Sequence, residues 1–420
     1  MNKMKFFFVV FILFGLSGFI LNAHSLCATG ELYVGTAKVN ITPKVPIPMS
    51  GYSGRKENFK GIHDDLHARA IAFDDGGTKA LLISAEIISI SFSFWENTSK
   101  RIEDETGIPH KNILLCATHT HGGPSPVPSY MDEVADKLIN AAKEAVGNLR
   151  PARIGAGKGI CRMNINRRAR AARGGIVLGK NPYKPIDWEV GIIQIDDAQG
   201  IPLAVLTNWG CHSTVMGANN YMITGDWAGA ASRFIEEECG NNCIAPLFIG
   251  ANGDVNPLYQ GINSFKTGIG EVEITGIVIG EEVMKVARAI KTYPYGSIQV
   301  IQRIIVLPGK EETSEKQFRE YGINAFKAGP DNQLNLTVLK VGPIILAGVS
   351  AQLFNEFGTQ FKELSPYNFS FMIGHCNGTT GYIPTDDEYA EGGYEVLRSR
   401  TMPGNEKAII ENLLDMIYEF

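Results

Sequence analysis

The sequence predicts an α/β fold of mixed β-sheets flanked by helices, with a site at the carboxyl ends of strands. Three observations carry that expectation. Short apolar runs of strand length alternate with amphipathic stretches of helical period. Polar, glycine-rich loops follow five of the apolar runs. Three of those loops present histidine: His119 and His121, His212, and His375. In open α/β sheets, ligands collect outside the carboxyl ends of strands, where these loops stand.

The chain has 420 residues, a hydrophobic content of 44% and a formal charge of −5. That is ample for a globular core and gives no electrostatic reason to expect nucleic acid as a partner. No solenoid repeat or low-complexity tract occurs. Residues 1–25 read as a signal peptide: Lys3 and Lys5 precede an uncharged apolar run from 6 to 21, and small residues flank a cut after Ser25. An uncleaved anchor is the alternative, and Leu26-Cys27 hints at lipoprotein processing. The expected mature chain, 26–420, is a single domain without a membrane span, secreted or periplasmic.

A first strand is expected over 32–42, entering a proline-rich turn. His63-Asp-Asp-Leu-His67 has ligand-pair spacing, but the strand-like residues 68–73 after it favour a structural role. Residues 80–86 form the next apolar strand, ending at Glu86, a carboxylate that wants a partner. Helices are expected over 92–106 and around Met131, Val134, Leu138, Ala142 and Val146, which share one face. Between them, Asn112-Ile-Leu-Leu-Cys-Ala117 reads as a buried strand from which His119 and His121 emerge at i, i+2 spacing. That spacing gives half of a metal site, or two loop histidines bonded to backbone.

Cys161-Arg-Met-Asn-Ile-Asn-Arg-Arg-Ala-Arg170 concentrates positive charge, as a solvated loop or as an arginine clamp for a carbonyl or anion. Strands at 188–195 and 203–209 pair around a turn, and the second delivers His212. Asp226 reads as the N-cap of a helix over 227–238. The strand at 244–249 runs into Gly250-Ala-Asn-Gly-Asp-Val-Asn-Pro257. Helical patterns follow over 269–290 and, more polar, over 312–327. A hairpin over 333–347 leads to Gln352 and a helix through Glu356; a strand at 369–373 delivers His375 and Tyr382. The stripe Ile409, Ile410, Leu413, Leu414 and Ile417 closes the chain as a core-packing helix. Of seven cysteines, Cys239 and Cys243 are near enough to bridge, whereas Cys116, Cys211 and Cys376 read as small buried hydrophobes.

Thr118-His-Thr-His-Gly-Gly-Pro124, Cys211-His-Ser-Thr214, Asn252-Gly-Asp-Val-Asn-Pro257 and Gly381-Tyr-Ile-Pro384 resemble, in this order, the catalytic domain of the neutral/alkaline (non-lysosomal) ceramidases. Residues 34–43 and 61–70 look like that domain's opening segments. The resemblance implies a zinc amidohydrolase that cuts the N-acyl bond of ceramide, with one zinc ion. It implies metal ligands at His119, His212 and Tyr382, and at a glutamate position occupied here by Gln352. It further implies that His121 and Arg167 bind or polarise substrate. Two residues depart from the pattern. Gln352 is a weaker, uncharged ligand, for which Glu356 one helical turn on is a possible substitute. Asn256 stands where ceramidases carry serine, so hydrolysis here is expected to use metal-bound water, with Asn256 in the catalytic set. The resemblance covers the catalytic domain, and no stretch of these residues is expected to form the β-sandwich of full-length members. The expected function is therefore hydrolysis of a small-molecule or lipid amide. The alternatives are a catalytically silent domain that binds such a ligand, and an esterase on the same site.

Overall fold

The computed structural model describes residues 31–240, 242–260 and 268–420. The expected signal peptide at 1–25 lies outside them. Among the described residues, no helix is long and apolar enough to cross a membrane.

Two sheets form the centre. The larger has eight strands, in the order Leu247–Ile249, Pro202–Trp209, Glu189–Asp197, Arg150–Ile160, Tyr33–Asn40, His67–Asp74, Lys79–Ala85 and Ile113–Ala117. The smaller runs Ile298–Lys310, Ala328–Val341, Ile344–Val349, Phe369–Ile373. Strand alternation divides their side chains between layers. Leu81 and Ile83 face the helices Phe92–Thr106 and Pro128–Gly147, while Ala80 and Leu82 face the other way. There they meet Leu339, Ile344, Leu346 and Phe371 of the smaller sheet, so the two sheets pack face to face. Helices Asp226–Cys239 and Gly268–Ala287 cover another part of the larger sheet. Helices Asn355–Leu364 and Glu406–Tyr418 cover the outer face of the smaller one. The result is a helix, sheet, sheet, helix layering.

The larger sheet is antiparallel except at its two ends. Lys79–Ala85 with Ile113–Ala117, and Pro202–Trp209 with Leu247–Ile249, are parallel pairs. In the smaller sheet Ile344–Val349 and Phe369–Ile373 are parallel. Parallel neighbours release their chains at the same edge. All five loops singled out in the sequence leave from these three pairs, which is why they can converge.

The structure corrects several expectations. Residues 164–170 are a strand, not a solvated loop, paired with Val255–Pro257 and Ile176–Asn181. The polar helix is only Glu315–Tyr321, followed by a 3-10 turn. Asp226 is the first residue of its helix rather than its cap: its φ is 55° and its carboxylate accepts Val215 N and Met216 N, fixing the loop after His212. Cys239 and Cys243 are free thiols. Glu86 has found its partner in Arg69, at 2.6 Å.

Candidate metal and hydrolytic site

The strand Ile113–Ala117 is wholly buried, and the chain turns sharply as it leaves the sheet. His119 takes a left-handed φ of 56°, a conformation that non-glycine residues hold only where surroundings enforce it. Its Nδ1–H donates to the Ile88 carbonyl at 2.7 Å, leaving the Nε2 lone pair free. His212 is arranged in the same way, with Nδ1–H donating to the Val255 carbonyl at 2.9 Å and Trp227 Nε1 holding its own carbonyl at 2.8 Å. His121 follows two residues after His119. Its amide donates to the Ser213 carbonyl at 3.0 Å, and its carbonyl accepts from Arg55, which also spans Ser50 and Gly217. Gly51 must be glycine here: its φ is +92°, and a Cβ would lie 2.6 Å from the His121 ring.

These three imidazoles converge. One ligand nitrogen from each of His119, His121 and His212 lies within 4.8 Å of the others. The Nε2 atoms of His119 and His121 are 3.2 Å apart. Two nitrogens bound at 2.0–2.1 Å to one tetrahedral ion are separated by about 3.3 Å, so this edge already has ligand spacing. Burial lowers the pKa of His119 to about 4 and those of His121 and His212 well below the usual value, Arg167 adding to the effect. The rings are therefore neutral donors, and backbone carbonyls fix the orientation of two of them, as ligand histidines require. The residues present fit a divalent metal ion.

Facing them is Arg167. The strand Asn164–Arg170 is bulged between Asn166 and Arg168, which re-aims its side chains. Arg167 Nε donates to Glu395 at 2.6 Å, and NH1 lies 3.3 Å from both His212 Nε2 and Asn256 Oδ1. Its buried NH2 has no hydrogen-bond partner among the described residues. Arg168 shares Glu395 at 2.9 Å and adds Glu388 at 2.7 Å. Burial works against the charge on Arg167, but Tyr382 and Glu395 outweigh it and raise the pKa.

Tyr382 and Gln352 arrive together, as partners in the short parallel pairing of Gln352–Leu353 with Tyr382–Ile383. The Tyr382 ring lies 5.4 Å below the Arg167 guanidinium carbon and stacks at 6.4 Å on His212. Burial raises its hydroxyl pKa, against the lowering effect of Arg167. The Gln352 Oε1 is buried without a hydrogen-bond partner among the described residues. Asn256 bonds Arg167 and donates to Gln260.

Of the residues singled out in the sequence, His119, His121, His212, Arg167, Asn256 and Tyr382 thus meet directly, with Gln352 beside Tyr382. Glu356 is not among the metal-capable group. Its carboxyl is pushed up to about 6 by burial and by Asp387, Asp254 and Glu388. His63 bonds Asp64 at 2.6 Å, the structural role expected of it. Sequence reasoning placed His375 at a strand end without giving it a role, and missed two further supports. His375 stacks on His119 at 4.0 Å and points Nε2 at Asn252, so it supports the site from behind. Arg55 sits in a glycine-flanked loop that shows no pattern. Glu395 lies 228 residues from Arg167, with no local signal at all.

Comparison with known proteins agrees with this geometry. A family model described as neutral/alkaline non-lysosomal ceramidase, N-terminal, matches residues 32–269. Neutral ceramidase A of Dictyostelium discoideum is 30% identical over 272 residues, covering 57% of this chain and 38% of its own. Neutral ceramidase 1 of Arabidopsis thaliana is 27% identical over 253 residues, 56% of this chain and 32% of its own. The matched region is thus well under half the length of these relatives. The crystal structure of neutral ceramidase from Pseudomonas aeruginosa superposes with a TM-score of 0.79 over 92% of this chain and 74% of that one, at 19% identity, and so shares the fold. With over half of its residues matched by the family model, the chain belongs to the neutral/alkaline non-lysosomal ceramidase family.

Proposed function

We propose that this chain is an exported, metal-dependent hydrolase of an N-acyl amide, with ceramide-like lipids as the substrate class and zinc as the ion. The observation that carries the proposal is the convergence of three neutral imidazoles on one point, faced by an arginine with one nitrogen unpartnered among the described residues. In this reading His119 and His212 hold the ion, Tyr382 and the Gln352 amide oxygen offer further oxygen donors, and His121 stands close enough to join them or to touch substrate. Such an ion, when bound, supplies Lewis acidity and lowers the pKa of a water to near neutrality.

The protein groups do the rest. Arg167 is held by Glu395 so that NH2 remains available to an amide carbonyl. A fixed, buried cation of this kind stabilises charge developing on the carbonyl oxygen without reorganising. Asn256 has no nucleophilic oxygen and acts by orientation, through its bond to Arg167. Asn256→Ala should lower turnover about 100-fold or less, whereas His119→Ala should abolish it.

Elemental analysis of the purified protein, beside a panel of N-acyl amides of graded chain length and their ester counterparts, tests the proposal. About one zinc per chain with amide cleavage supports it; His119→Ala and His212→Ala should then lose metal and activity together. Ester cleavage alone would point to the esterase reading. A second reading, a silent ligand-binding domain, is favoured by the neutral Gln352 and by Asn256. Zinc binding with no turnover of any amide or ester would select it.

A further inference from the structure

The described cysteines are all free thiols, and two of them face one another beside the site. Cys116 is in the strand that leads to His119, and Cys376 follows His375 directly. The two residues are partners in an isolated antiparallel bridge. The hydrogen bonds around that bridge fix its type. Ala117 N donates to the His375 carbonyl at 3.2 Å, and Asn377 N donates to the Leu115 carbonyl at 2.9 Å. Both bonds are made by the flanking residues and none by the cysteines themselves. This is the non-hydrogen-bonded pair of an antiparallel ladder, in which the Cα atoms approach to about 4.5 Å and the side chains are closest. A disulfide spans Cα separations of about 4.4–6.8 Å.

Other contacts hold the pair in register. The Asn377 side chain accepts from Leu115 N at 2.8 Å and donates to the Ile113 carbonyl at 2.9 Å, pinning the loop to the strand. Gly348 lies against the Cys376 sulfur, where a Cβ would sit 2.5 Å from Sγ, so the space for that sulfur depends on glycine. Both thiols are 1% exposed.

We infer that Cys116 and Cys376 are a modification site, a pair that closes as a cross-strand disulfide and ties the His119 loop to the His375 loop. Each thiol loses one proton and one electron; an S–S bond forms between the two sulfurs. The two electrons and two protons pass to an external disulfide, such as oxidised glutathione, whose S–S bond breaks to give two thiols. Burial pushes the Cys116 thiol well up, with a hydrogen bond from Cys376 adding to this, so the thiolate that must attack is scarce in the folded state. The bond therefore forms during folding, before burial. Side chains at such a pair start with Cβ atoms about 4.5–5.5 Å apart, and a bridge draws them to about 3.8 Å. Strain of this kind makes a disulfide easier to reduce than an unstrained one.

The consequence is mechanical. His375 stacks on His119, and the bond joins the residue after His375 to the strand before His119. Closure thus fixes two of the loops that build the site, in a chain whose termini of the loop are far apart in sequence. Long closed loops are the ones in which a cross-link stabilises most.

The test uses the full chain, reduced and unfolded, then refolded in a glutathione redox buffer beside protein collected directly from an oxidising export compartment. Free thiols are alkylated under denaturing conditions and the digest is mapped by mass spectrometry. The expected result is a reducible peptide pair joined through Cys116 and Cys376, with Cys161 and Cys211 alkylated. Complete alkylation of Cys116 and Cys376 in both preparations, or their appearance only in bridges to other cysteines, overturns the inference. The Cys239→Ser/Cys243→Ser double variant isolates the pair for a second measurement. Its thermal midpoint should rise by a few degrees on oxidation, and Cys116→Ala in that background should remove the rise. An oxidised double variant with an unshifted midpoint also counts against the bond.

Discussion

On one side of the site, His119 and His212 are each anchored by a hydrogen bond to a backbone carbonyl of a neighbouring loop, Ile88 and Val255. On the other, Arg167 is anchored by Glu395, a carboxylate it shares with Arg168. The histidine wall is fixed by the sheet's own loops, and any sequence that builds those loops supplies the carbonyls. The arginine wall depends on single side chains that contribute charge in a buried place. Lys184 extends it, pairing with Glu388 and Glu391. The first arrangement is robust to side-chain change nearby, whereas in the second a single substitution leaves a buried charge unpaired. Buried ion pairs contribute little over apolar packing when intact, but breaking one is costly.

The largest expected effect follows from that asymmetry. Glu395→Gln leaves Arg167 without its carboxylate and Arg168 with Glu388 alone. A loss of about 3–5 kcal/mol in unfolding free energy is expected by urea denaturation. A loss below about 0.5 kcal/mol, with the fold intact, would erase the distinction between the two walls. The metal content of folded Glu395→Gln should meanwhile stay close to that of the parent protein, because the histidines do not depend on it.

A smaller effect lies behind the histidine wall, where the loops also rest on one charge network. Arg69 bonds both Glu86 and Glu236 at 2.6 Å, and Lys38 reaches Glu236 at 2.7 Å. Burial opposes the charge on Glu236, but Arg69 and Lys38 outweigh it and bring the carboxyl down to about 2. The unfolded value is near 4.3. A folded pKa below the unfolded one stabilises the protein above the unfolded value, and that stability is lost as pH falls from about 4.5 toward 2. The contribution is on the order of 3 kcal/mol. Urea midpoints measured at falling pH should drop less steeply in Glu236→Gln than in the parent, because the variant has lost that contribution at every pH. Equal slopes would show that the network adds no pH-dependent stability.

The same contrast explains what could be read before the structure. Parallel strand pairs and their loops leave a local trace, an apolar run followed by glycine and polar residues, and His119, His121, His212 and His375 were legible for that reason; Tyr382 was reached only through the resemblance. The face-to-face packing of the two sheets was not, since no local period distinguishes which face of Leu81 and Leu82 meets helix and which meets sheet. The strand Asn164–Arg170 was legible only as a solvated loop or an arginine clamp, because its arginines mask the strand pattern; their burial depends on Glu388 and Glu395, more than 200 residues on. Asp226 was read from its position before a helix, yet its left-handed backbone and its bonds to residues 215 and 216 are tertiary facts. Resemblance in short motifs reached Arg167, but nothing in the motifs reached its anchor.

The finest test concerns Gln352, which sits where the two walls meet, paired with Tyr382. The three imidazoles are neutral, and Arg167 brings positive charge to the same place. A divalent cation there would find lone pairs but no formal negative charge at this position. Gln352 offers an amide oxygen that is buried and has no hydrogen-bond partner among the described residues, so it can serve as a donor, though a weaker one than carboxylate. Gln352→Glu places a negative charge beside Tyr382 and should tighten zinc binding about 10–100-fold, read by competition against a chelator of known affinity. Glu356→Gln should leave the affinity unchanged, because Glu356 lies outside the metal-capable group and burial with Asp387, Asp254 and Glu388 nearby disfavours its charge. If Gln352→Glu folds and binds zinc no more tightly than the parent, the amide is there to pack the short strand pairing, and His121 is left as the third ligand. If affinity rises while turnover does not, the ion is held by both walls but the arginine wall limits the chemistry.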